Sequence, residues 1–180
     1  MKTFVISDTH FGHAAILSFK CNDGITPVRS FASCEEMDET MVSRWNAVVG
    51  PNDKVYHLGD VSMKKNFLPI LDRLNGNKTL IAGNHDIFDT KLYLKYFSNV
   101  RGYRVLNTNK NKRIILSHIP LSADSKGRFS LNVHGHLHQN KLDDPWYYNV
   151  SVEQIDYTPV DVQTIFNLVD QDDLETTANA

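Results

Sequence analysis

Apolar positions along the chain change their period, and the changes mark out elements. KTFVIS (2–7) is a short β-branched and aromatic run that reads as a buried strand ending at Asp8. SCEE (33–36) has a helix-start pattern, with Ser33 as N-cap and Glu36 three residues in. Met37, Met41, Trp45 and Val48 then recur at helical spacing, which predicts an amphipathic helix over 34–49, stopped by GPND (50–53). KVYHL (54–58) predicts a second strand, 66–74 a helical stretch, NGN (75–77) a turn, KTLIA (78–82) a third strand and 89–97 another helix.

Past residue 100 the pattern is mostly β. YRVLNT (103–108) and KRIILSH (112–118) predict a hairpin around a polar NKN turn, and SLNVHG (130–135) and YYNVSVE (147–153) two more strands. TPVDVQTIFNLV (158–169) predicts a helix with Thr158 as N-cap and Pro159 at its first position. The alternation of the first half argues for a parallel sheet with helices outside, and the second half is expected to supply antiparallel strands.

Composition changes this picture little. With 180 residues, 41% hydrophobic and 22% charged, the chain suits one globular domain, expected over 1–170, with an acidic, frayed tail at 171–180. A net charge of −2 favours neither nucleic acid nor anionic membrane globally. Cys21 and Cys34 make no disulfide framework and are expected to be unreactive packing residues. No apolar run approaches a membrane span and the first residues lack a signal-peptide shape, so a cytoplasmic protein without membrane or obligate protein partner is expected.

The informative residues stand where predicted strands stop: Asp8-Thr9-His10, Gly59-Asp60, Gly83-Asn84-His85-Asp86, Ser117-His118 and Gly135-His136-Leu137-His138. In open α/β sheets ligands bind at the carboxyl ends of strands. Imidazole with carboxylate suits divalent first-row metals. Asp8, His10, Asp60, Asn84, His118, His136 and His138 exceed the donors one tetrahedral ion needs, and fit a pair about 3.5–4 Å apart sharing a carboxylate. His136 and His138, two residues apart, would point the same way from an extended segment and serve one ion each, with Gly135 permitting close backbone approach or an unusual φ. His134 reads as packed behind them.

The ordered set D-x-H, GD, GNHD, H, GHxH, from Asp8 to His138, resembles the calcineurin-like metallophosphoesterase superfamily, in particular its small single-domain members from bacteria and phages. The resemblance implies a four-layer α/β/β/α sandwich with mixed sheets and a dinuclear site at the strand ends. It implies that Asp8, His10 and His138 hold one metal, Asn84, His118 and His136 the other, and that Asp60 bridges. It also implies attack by a metal-bridging hydroxide, His85 as the catalytic acid, and Asp86 orienting or charge-stabilising His85. Manganese is the favoured ion, with iron, nickel, cobalt or zinc fitting the same donors.

The phosphoprotein phosphatases of that superfamily carry arginines in GDxVDRG and RGNHE; here the corresponding text is GDVSMKK and AGNHD, with Met63 and Ala82 near those places. Without such clamps a phosphate dianion loses bidentate anchors, whereas a diester carries one charge. A phosphodiesterase for nucleotides or nucleic acid is therefore expected. A phosphomonoesterase using Lys64 or Lys65, and a non-catalytic metal-binding interaction module, are the alternatives. His13 is expected either to contact substrate or to cap a helix, and His57 to be buried and hydrogen-bonded. Arg29, Arg101, Arg104 and Arg113 read as solvated surface, and Trp146, Tyr147 and Tyr148 as a half-buried strand. Loops 18–35 and 119–130 are expected to wall the site.

Overall fold

The structure, a computed structural model, describes residues 1–178. β1 (Thr3–Ile6), β2 (Lys54–His57), β3 (Asn77–Ile81) and β4 (Asn99–Arg101) run parallel, in the order β4-β3-β2-β1. β5 (Tyr103–Asn107), β6 (Arg113–Ser117), β7 (Leu131–His134) and β8 (Tyr147–Asn149) form a second sheet in that order. β9 (Val160–Asp161) returns to the first sheet, antiparallel to β1. Two mixed sheets in an α/β chain match the expected fold class.

Burial explains the apolar runs. In β1, Phe4 and Ile6 enter one core and Val5 the other, so both faces of the strand are covered. The first core packs α1 (Cys34–Val48), through Met37, Met41 and Trp45, against Val55, Leu80 and the 3₁₀ helix of residues 65–73. The second lies between the sheets, where Val5, Leu58 and Ile81 meet Ile114, Leu116 and Val133. α1 starts as expected: Ser33 Oγ accepts from Glu36 N at 3.1 Å, while Glu36 reaches back to Ala32 N at 2.6 Å.

Several expectations are corrected. The second sheet is antiparallel only at the β5–β6 hairpin; β6, β7 and β8 are parallel because long crossovers, not tight turns, join them. Residues 65–73 form a 3₁₀ helix containing Pro69, which has no N–H for an α-helical ladder. The helix expected over 89–97 is one turn, α2 (Thr90–Tyr93), before three residues join the sheet edge as β4. Thr158 and Pro159 precede β9 rather than start a helix; α3 (Val162–Ala178) follows, with Asp161 Oδ1 accepting from Gln163 N at 3.0 Å. Residues 179 and 180 of the acidic tail lie outside the described residues. Among the described residues no helix is long and apolar enough to cross a membrane.

Candidate metal centre

The strand-end loops stay paired after the strands stop. Asp8 N donates to Gly59 O (2.9 Å) and His10 N to Asp60 O (3.0 Å), so the first two loops travel together. Asp86 ties in the third: its carboxylate accepts from Asp60 N (2.8 Å), Val61 N (3.1 Å) and Gly83 N (2.8 Å). A side chain on Gly83 would overlap Asp60 Oδ1, and one on Gly135 would overlap Ser7 Oγ and Asp8 Oδ2. Both glycines are there for close approach.

The backbone is strained where the donors are. Asp8 (φ 59°), His10 (48°), Asp60 (57°), His136 (69°) and His138 (50°) all adopt the left-handed region. That conformation costs an L-residue about 1–2 kcal/mol, and such strain gathers at functional sites. It also corrects the expected extended geometry around Gly135: two left-handed turns, not a strand, send His136 and His138 to different partners.

Two donor groups result, Asp8 with His10 and His138, and Asp60 with His118 and His136. Asp60 Oδ2 lies 3.6 Å from His10 Nε2 and 3.5 Å from His118 Nε2, while Oδ1 is occupied by His85 N at 2.9 Å. One free carboxylate oxygen therefore faces both groups. His118 Nδ1 is 2.7 Å from the Leu58 carbonyl and must donate to it, which leaves Nε2 a lone pair. That lone pair faces Asn84 Oδ1, also an acceptor, at 2.9 Å. With the imidazole neutral, these two acceptors suit a shared cation. Asp8 Oδ1 and His10 Nε2 are buried without a hydrogen-bond partner. Burial and the Arg29 charge drive the proton off His10, the form a metal ligand needs. These donors fit divalent ions.

A buried network fixes the first group. Arg29, only 1% exposed, donates to Asp8 O (2.5 Å), Thr9 O (2.9 Å) and Glu153 Oε1 (2.8 Å). The same Glu153 oxygen takes His138 Nδ1 at 2.9 Å. Burial pulls the His138 pKa down, but the Glu153 hydrogen bond and charge outweigh it and the net shift is upward. Burial likewise raises Glu153, and His138 with Arg29 more than reverse it. Asp8 Oδ2 is held by His136 N (2.9 Å) and Ser151 Oγ (3.0 Å).

The expectation that Arg29 is solvated surface is thus overturned, and sequence reasoning missed Glu153 and Ser151 altogether. Glu153 ends the polar-apolar run after β8, a strand-end signal of the same kind as the others; Arg29, in an irregular loop, carries no local signal. The Asp86 oxygens hold loop backbones, a structural role that sequence reasoning also missed. His57 is buried as expected, 3.0 Å from Thr9 Oγ1, and burial pushes its pKa down to about 3. His134 is packed behind the site with Nδ1 at the Gly135 carbonyl, 2.8 Å away. Trp146 Nε1 and Tyr147 Oη anchor the 119–130 loop at Phe129 O and Leu121 O, 2.8 and 2.7 Å away. Arg101, Arg104 and Arg113 are exposed, and both cysteines are free thiols.

A cavity of about 530 Å³ opens over the centre, with His10, His13, His85, His136 and His138 on its floor. His13 precedes a 3₁₀ turn (Ala14–Ser18) without capping it through its side chain; its ring faces this cavity. Loop 18–35 supplies Phe19, Lys20 and Val28 to the wall, whereas none of the described lining residues comes from 119–130.

Residues 1–174 match the family model described as calcineurin-like phosphoesterase. The uncharacterized protein MJ1445 of Methanocaldococcus jannaschii is 36% identical over 99% of this chain and 97% of its own. The gene 66 protein of Mycobacterium phage L5 is 36% identical over 47% of this chain and 39% of its own. Among solved structures, the protein of unknown function AQ665 from Aquifex aeolicus superposes with a TM-score of 0.74 at 29% identity, covering 93% of this chain and 98% of that one.

Proposed function

The chain belongs to the calcineurin-like phosphoesterase family, and from that premise we propose that it is a metal-dependent phosphodiesterase acting on nucleotide or nucleic-acid diesters. The observation that carries the reading is the Asp60 Oδ2 atom, free and 3.5–3.6 Å from a histidine of each donor group. A divalent pair bound there supplies an activated water and neutralises charge on the phosphate.

The chain's own residues do the rest. Asp8, His10 and His138 would hold one ion, and His118, His136 and Asn84 the other, with Asp60 between them. Arg29, Glu153 and Asp86 keep these donors from relaxing out of their left-handed conformations, so little reorganisation accompanies reaction. His85 lies on the cavity floor, its ring centroid 5.7 Å from that of His10. In this reading it hands a proton to the departing oxygen.

The diester preference rests on charge. Among the described lining residues Lys20 is the only lysine, and no arginine reaches the cavity. A monoester dianion would meet fewer cationic anchors than it needs. A phosphomonoesterase is the second reading, favoured by Lys64, whose charge is felt at His13. Hydrolysis of a nitrophenyl monoester and a bis-nitrophenyl diester, side by side on metal-stripped protein with Mn²⁺ restored, tests the choice. Faster diester cleavage is expected; monoester preference would overturn it.

A further inference from the structure

The metal donors account for the floor of the cavity but not for its wall. Phe19, Ile16, Val28 and Leu137 make part of the lining apolar, and Phe19 is 49% exposed although it is a large aromatic residue. Hydration of an exposed ring is costly, and nothing in the fold's two cores requires Phe19 there. Lys20, Gln139 and Asn140 add polar groups to the same lining.

The wall is built rather than incidental. Lys20 and Pro27 pair as an antiparallel bridge, and Val28 N donates to Phe19 O at 2.9 Å, so residues 19–28 form a closed loop. Asn22 Nδ2 reaches across to Asn140 Oδ1 at 3.2 Å and ties this loop to the one that follows His138. Asn149 Nδ2 holds the other end of that second loop, at the carbonyls of His138 (3.1 Å) and Asn140 (3.0 Å). A volume near 530 Å³ is within the range of small-molecule sites and gives room for more than a phosphate.

Spacing says what the extra room takes. The rings are linked in series, His10 to His13 at 5.6 Å and His13 to Phe19 at 5.8 Å between centroids. A ring bonded directly to a phosphate held over His10 would stop near His13. A ring separated from the phosphate by a sugar would reach Phe19. We propose that Phe19, with Ile16, Val28 and Leu137, is a subsite for the nucleobase of a nucleotide substrate, and that Gln139 and Asn140 face the edge of that base. Each amide side chain offers both a donor and an acceptor, as a base edge requires. The proposal rests on the phosphodiesterase reading for its phosphate position and extends it to a substrate class.

Binding separates the two. Calorimetry on Mn²⁺-loaded protein would compare adenosine 5′-monophosphate with ribose 5-phosphate, which share the phosphate and sugar and differ in the base. Base stacking on an aromatic ring supports a preference of about tenfold or more for the nucleotide. In Phe19→Ala the preference should fall to within about twofold, with ribose 5-phosphate binding unchanged, and Phe19→Trp should keep it. Phe19 is half exposed, so neither substitution opens a core. Equal affinities in the wild type, or an undiminished preference in Phe19→Ala, would overturn the subsite. Diester hydrolysis measured on the same samples tells the failures apart: turnover without base preference leaves the phosphodiesterase reading standing, and base preference without turnover leaves the subsite standing as a nucleotide site.

Discussion

Glu153 Oε1 stands 2.9 Å from His138 Nδ1, and the corresponding nitrogen of His118, in the other donor group, faces a backbone carbonyl instead. The two halves of the centre are therefore supported unequally. A carboxylate partner makes an imidazole more basic than a carbonyl partner does, and removing such a partner costs about 10–100-fold in metal affinity. Glu153→Gln should weaken one of two Mn²⁺ equivalents by that factor and leave the other nearly unchanged. Titration against a competing chelator reads both. Equal weakening of the two would refute the asymmetry.

Arg29 and Glu153 form an ion pair with side-chain exposures of 0% and 2%. Removing one partner of a buried pair typically costs about 3–5 kcal/mol, because the other charge is stranded. Arg29→Met should therefore unfold at markedly lower denaturant, and Arg29→Met with Glu153→Gln should recover part of the loss. A double variant no more stable than Arg29→Met would remove the pair from the account.

Asp38 accepts from Gly12 N at 3.0 and 3.2 Å, steadying the loop after His10. Burial pushes its pKa up to about 6, from 3.8. Between those values the folded state keeps a proton that the unfolded state has lost. The stability this group contributes is complete below about pH 4 and is lost as pH rises to about 6. Asp38→Asn should match the wild type in Tm near pH 4 and exceed it near pH 7. A variant less stable than wild type near pH 7 would contradict the sign.

Gly135→Ala should fail at the centre before it fails in the cores, since its Cβ meets Ser7 Oγ and Asp8 Oδ2. Reduced Mn²⁺ binding in a protein with a native circular dichroism spectrum is expected. Unimpaired binding would show that the loop can move away.

Much of this centre is legible in the amino-acid sequence alone. The seven donors sit at strand ends whose apolar runs are unambiguous, and the fold brings Asp8 beside His10 and His138, and Asp60 beside His118 and His136. β2 and β3 stand where their apolar runs predict them, because both faces of the first sheet are buried. The elements that differ from expectation have weaker local signals. Pro69 turns an apparent helix into a 3₁₀ run, and β4 is three residues with exposed ends at a sheet edge. Arg29 looks like any loop arginine, and only the return of Glu153 across 124 positions of sequence makes it a buried support. Asp86, adjacent to His85 in the chain, turns back to three backbone amides because those are the unpaired donors within its reach.

The proposed reaction needs two ions, held through Asp60, and a proton from His85. Metal-stripped protein titrated with Mn²⁺, with bound metal and bis-nitrophenyl phosphate hydrolysis followed together, tests it most directly. Turnover should appear with the second equivalent. His85→Ala should bind both equivalents and lose about 10²–10⁴ in rate, the usual contribution of general acid catalysis. Full turnover in His85→Ala, or none in wild-type protein carrying two ions, would contradict the account.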